Sequence, residues 1–152
     1  MVAQGGSKKT MSGISIVKLG KLGMRAEGLY PTVLKKYAVF GAEVLSPCDG
    51  VVAEVVENLP DNAPGERDAV RAAGNYVSIV TDGATVVLAH LMNKSVTVDA
   101  GQRVRVGQIL GRVGNSGDAA EPQLGIHVER DGRGIPMRFN ERFLAKNDCV
   151  DA

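Results

Sequence analysis

His90 and His127 are the only two histidines in the chain of 152 residues. Any acid–base or metal chemistry built on imidazole must pass through them. His127 stands in the stretch Glu121–Glu129, EPQLGIHVE. Alternation along a strand places Gln123, Gly125, His127 and Glu129 on one face, so a carboxylate lies close to the imidazole. Two imidazoles rarely hold zinc without further protein ligands. A metal centre on His90 and His127 therefore needs Glu129 or Asp118 to complete it. The same residues also fit two hydrogen-bonded groove or core histidines, or a groove contact to a bound ligand. Gln123 can donate and accept hydrogen bonds to a peptide but cannot shuttle a proton. No Ser–His–Asp arrangement is readable along the chain. Gly114–Gly117, GNSG, reads as a tight loop; no P-loop lysine follows it, which argues against phosphate binding.

Cys48 and Cys149 lie far apart and form no CxxC pair, so neither a thiolate zinc site nor a redox motif is present. They read as two unpaired thiols, with a bridge from the tail to the body as the alternative. The charges nearly cancel, 18 basic residues against 17 acidic ones, which implies no basic face and hence no nucleic-acid partner. No apolar run reaches membrane-spanning length, and no charged-then-apolar leader begins at Met1. Export stays open.

These residues must be positioned by strands. Glycine is abundant at 19 residues, aromatics are scarce, and short β-branched runs alternate with glycine turns. The expectation is an all-β, mainly antiparallel single domain over residues 11–152, with a flexible segment at residues 1–10. Strands are expected at residues 14–19, 43–46, 51–57, 75–80, 85–91, 95–98, 102–106, 108–113 and 123–130. Asp82-Gly83 marks a hairpin. Pro31 opens a short predicted helix, PTVLKKYAVF, ended by Gly41. A second helical turn is expected within residues 140–146. Residues 58–74, a polar stretch with two prolines, form a long surface loop of the kind that often carries function. The expected core is Val44, Val51, Val55, Val77, Ile79, Val87, Leu88, Val104, Ile109, Val113, Ile126 and Val128.

Four segments, GAEVLSPCDGVVAEV, AGNYVSIV, LAHLMNKSVTVDAGQRVRVGQILGRVGNSG and EPQLGIHVE, resemble the lysostaphin/LytM-type zinc endopeptidases. Those enzymes cut peptide cross-links in bacterial cell walls. The resemblance runs over about residues 11–148, and it implies a duplicated-hybrid-motif β-fold and a zinc cofactor. The family takes two zinc ligands from an H-x-G-x-D element and the third from the second histidine of H-x-H. Two further histidines, in an AHL-like segment and at the first place of H-x-H, serve catalysis. Carried over by residue, the zinc positions fall on Met11, Ser15 and Gly125. His90 in Ala89-His90-Leu91 is retained. Gln123 stands where the first histidine of the late pair would be, and His127 lies two residues past the ligand position. Asn75 falls where the family's groove is lined.

A thioether, a neutral hydroxyl and a glycine are poor zinc donors. Without the metal, nothing lowers the pKa of water towards ~7. The resemblance therefore implies a catalytically degenerate member: no metal, and a binding groove of His90, Gln123, His127 and Asn75. The expected partner is a peptidoglycan peptide or another wall hydrolase. The family is bacterial and usually periplasmic or extracellular. The loop at 58–74 would then dock a partner or lie across the vacant site. An active metallopeptidase with a non-standard site around His90 and His127 is one alternative. Another is a phosphocarrier, because VVLAHLMNKSVTVDAGQRVRVGQIL is also similar to the glucose-type phosphotransferase IIA domain, with His90 as the phosphorylated residue.

Overall fold

The structure, a computed structural model, describes residues 2–5, 13–20, 23–29 and 31–138. Ten strands among these residues carry the fold. They are β1 (Val2–Gly5), β2 (Gly13–Val17), β3 (Glu43–Leu45), β4 (Gly50–Val56), β5 (Asn75–Thr81), β6 (Ala84–Leu91), β7 (Arg103–Val104), β8 (Ile109–Arg112), β9 (Leu124–Arg130) and β10 (Arg133–Ile135). Every pairing is antiparallel. The main sheet runs β1-β2-β9-β6-β5-β4-β7, with β10 added to β9, and β3 pairs with β8 in a small second sheet. The all-β reading holds.

Turn chemistry explains the tight connections. Asp82 and Gly83 both have positive φ, 45° and 72°, as do Asp131 and Gly132, 52° and 69°. That is the backbone of the two-residue turn whose twist matches a hairpin. The core sits between the main sheet and the β3–β8 pair. It contains Ile16, Val44, Val52, Val77, Ile79, Val86, Leu88, Leu91, Val104, Leu110, Val113 and Ile126.

Several expectations are corrected. Residues 2–5, expected within a flexible segment, form β1 and pair with β2. The helix expected after Pro31 is one 3-10 turn, Leu34–Lys36, with no side-chain cap at Val33. The β-branched Thr32 and Val33 lose side-chain freedom in a helix, and Tyr37 instead bridges to Ala26. Residues 95–98 form no strand, although the Thr97 amide donates to the Leu110 carbonyl. Val51 and Ile109 are exposed, Val87 is half-buried, and their neighbours Val52, Leu110 and Val86 are buried instead. Cys149 and the helical turn expected at 140–146 lie outside the described residues.

Candidate functional site

Three strands build the site. In the ladder, Ser15 on β2 is opposite Gly125 on β9, and Gly125 is opposite Ala89 on β6. One step along, Gly13 and Val87 flank His127, and Thr85 faces Glu129. Paired residues share a sheet face, and so do residues two apart. Ser15, Gly125, His127 and Glu129 therefore line one face, with Gln123 just before β9 on the same parity. Ile14, Ile16, Ile126, Leu88 and Val86 turn to the other face, against the core.

His90 departs from this alternation. Leu88 faces the core and Ala89 the groove, so an unbroken strand would send His90 into the core. Instead its φ is 63°, in the left-handed region that non-glycine residues seldom occupy. Its amide donates to the Ala73 carbonyl at 3.0 Å, and its carbonyl accepts from the Gly114 amide at 3.0 Å. These bonds hold the backbone in its turned state. The ring then lies over Gly125. A Cβ built on Gly125 would stand 2.9 Å from His90 Cδ2 and 3.1 Å from Nε2.

The ring is held as well as placed. His90 Nδ1 lies 2.9 Å from the Ser116 carbonyl oxygen, which can only accept, so Nδ1 carries the proton. Burial lowers the pKa of His90 below its ordinary 6.5; the Ser116 bond and Asp118 oppose this, and His127 adds to it. The neutral imidazole is favoured. His127 Nε2 sits 3.3 Å from Glu129 Oε1, the closeness that strand alternation implied.

Ser116 and Asn75 are the supports beneath the site. Ser116 is fully buried. Its hydroxyl accepts from the Asn75 amide at 2.9 Å and donates to the Leu91 carbonyl at 2.8 Å. Asn75 is corrected from a groove residue to a buried one. It is 0% exposed, and its side-chain amide is bonded to the Leu59 amide, the Leu59 carbonyl and the Leu91 carbonyl. An amide so satisfied has nothing left for a ligand. The role of Ser116 was not legible in the sequence, because a carbonyl that grips a ring 26 residues away leaves no local pattern.

The loop at 58–74 is strapped down. Asp61 accepts from the amides of Asn93 and Asn115, and Asn62 donates to the Gly117 carbonyl. The Gly65 amide donates to Ala120, and that of Asp68 to Gly117. The loop therefore packs on the 114–120 turn as a wall. The amides of Gly114, Asn115 and Asp118 are all taken by protein acceptors. Among the described residues, no three His, Cys, Asp or Glu side chains gather so as to hold a metal ion. Met11 lies outside the described residues.

A sequence profile of peptidase family M23 matches residues 35–137, more than half of the chain. The chain belongs to peptidase family M23. The matched region contains His90, Gln123, Gly125 and His127, and begins after Ser15. Among solved structures, this M23 chain is similar to a zinc-containing peptidase from Vibrio cholerae. The identity there is 28% and the TM-score 0.50, over 63% of this chain and 26% of that one. The chain thus spans about a quarter of the Vibrio protein. It is also similar in fold to the catalytic domain of the prophage-encoded M23 protein EnpA from Enterococcus faecalis. That match has 19% identity and a TM-score of 0.51, over 88% of this chain and 92% of that one. Among the described residues, no helix is long and apolar enough to cross a membrane.

Proposed function

We propose that this M23 domain is catalytically degenerate and acts as a binding or regulatory module on cell-wall peptidoglycan peptides or on a partner wall hydrolase. One observation carries the reading. At the third zinc position, Gly125 has no side chain, and the His90 ring occupies the space a Cβ there would enter. The rest of the donor set agrees. Ser15, in register with Gly125, offers only a neutral hydroxyl, and Met11 a thioether. Zinc prefers imidazole, thiolate and carboxylate, so these residues do not fit the ion that the family implies. Gln123 supplies an amide where a proton carrier would be needed. What remains is a hydrogen-bonding floor of Ser15, His90, Gln123 and His127, walled by the strapped loop.

The test combines metal content, binding and activity on the purified chain. After incubation with zinc and dialysis, elemental analysis is expected to find well under one equivalent, unchanged in His90→Ala and His127→Ala. Insoluble peptidoglycan is expected to retain the protein without losing turbidity. Stoichiometric zinc that disappears in either histidine variant, accompanied by wall hydrolysis, would overturn the reading in favour of an active site around His90 and His127. Absence of retention, with no effect on a wall hydrolase, would remove the binding role.

A further inference from the structure

We infer that His90 Nε2 is a fixed, outward-facing hydrogen-bond acceptor on the groove floor, and that the site therefore takes a ligand through an N–H group, such as a peptide amide. The inference rests on the binding reading above and names the chemistry of that binding.

Three observations carry it. First, the tautomer is set by geometry. Ser116 O can only accept, so the Nδ1–H points at it and the lone pair is left on Nε2. Second, among the described residues Nε2 has no protein partner, and it is not among the buried polar atoms that lack one, so it reaches solvent at the groove. Third, the ring cannot easily turn over. A ring flip would replace the Nδ1–H with Cδ2–H and forfeit the bond to the Ser116 carbonyl, the other tautomer would set a lone pair against that carbonyl, and Ser116 is itself pinned by Asn75 and Leu91. Desolvation, opposed by the Ser116 bond and Asp118 and aided by His127, lowers the pKa of the ring and so favours its neutral form.

The surroundings fit an amide better than an anion. The absent side chain of Gly125 makes room for the His90 ring itself, which sets Nε2 over β9 between β2 and β6. Ser15 lies directly across, and the Gln123 amide can donate to a ligand carbonyl. A carboxylate placed on Nε2 would meet a lone pair with no proton between them. Glu129, held against His127 at 3.3 Å, adds negative charge to the same face.

Nitrogen-15 NMR of the His90 side chain reads this directly, using the full chain. In the free protein, Nδ1 is expected to be protonated and Nε2 unprotonated. The first probe is N-acetyl-trialaninamide, and its control is the same peptide methylated at every amide nitrogen. The first should move the Nε2 resonance in the direction of proton sharing, while the second should not. Soluble stem-peptide fragments from muramidase-digested peptidoglycan should move it likewise. They are expected to bind His90→Ala roughly 3- to 10-fold more weakly, the worth of one hydrogen bond. A protonated Nε2 in the free protein overturns the inference. So does an Nε2 resonance unmoved by the trialanine probe, or moved equally by its methylated control. Wall fragments that bind wild type and His90→Ala equally overturn it while leaving the binding module intact. A trialanine response without wall-fragment binding supports the acceptor and sinks the peptidoglycan reading.

Discussion

Replacing Asn75 with alanine tests the architecture under the site. The side chain is wholly buried and makes three bonds: Oδ1 accepts from the Leu59 amide at 2.9 Å, and Nδ2 donates to Leu59 O at 2.9 Å and to Leu91 O at 3.0 Å. Truncation strands the two Leu59 groups. The Leu91 carbonyl keeps the Ser116 hydroxyl at 2.8 Å, so its loss is partial. A buried polar group left without a partner costs about 1–3 kcal/mol. Leu59 is only half-buried, so water relieves part of that, and about 1 kcal/mol for each stranded group is appropriate. The small cavity and the weakened Leu91 bond add about 1 kcal/mol more. The sum is about 3 kcal/mol, which for a domain of this size lowers Tm by roughly 6–12 °C. Urea denaturation followed by circular dichroism measures it. Asn75→Asp should be worse, because it removes both donors and buries a charge. A change below about 0.5 kcal/mol in Asn75→Ala would refute the buried role. So would a loss of ligand binding with unchanged stability, which is what a groove residue would give.

Three further outcomes follow from the same geometry. Gly125→Ala should destabilise by about 1–2 kcal/mol by pushing the His90 ring; combined with His90→Ala the two should fall short of additive by about 1 kcal/mol in a urea-denaturation cycle. Gly50→Ala would place a Cβ 2.5 Å from the Val80 carbonyl oxygen and 2.6 Å from Ile79 Cγ2; backbone cannot yield there, so a loss of about 3 kcal/mol in chemical denaturation is expected. His90 has a folded pKa below its ordinary 6.5, so the unfolded chain binds more protons and stability rises with pH through this window. Tm should therefore fall as pH drops below about 6.5, and the His90→Gln variant should show a flatter profile in thermal scans across pH 5–8.

The strand order of residue types was legible where the pattern had a period. Val77, Ile79, Leu88, Val104 and Ile126 fell in the core as expected; for Val104, between Arg103 and Arg105, a single apolar residue between polar ones fixes the face. Doublets did not. In Val51-Val52, Val86-Val87 and Ile109-Leu110 both residues are apolar, so alternation cannot choose, and the second residue is buried in two cases and the first in the other. The 3-10 turn at 34–36 replaced a predicted helix because local propensity was weak and the Ala26–Tyr37 bridge supplied a tertiary alternative.

The sequence alone determined the family resemblance, the all-β class, the hairpin at Asp82-Gly83, and the pairing of His127 with Glu129. The hairpin and the pairing depend on neighbours within one strand or turn, and the resemblance and the class on residue types and their order along the chain, so residue type and spacing suffice. The tertiary structure alone decided what His90 and Asn75 do. Strand parity would bury His90. Its left-handed φ, fixed by Ala73 and Gly114, turns the ring onto Gly125, where Ser116 locks it. Asn75, a groove residue by the family resemblance, is instead a buried clasp between Leu59 and Leu91. Both outcomes come from hydrogen bonds between residues 16 to 26 positions apart. Such bonds obey no sequence period, so only the folded chain brings them together.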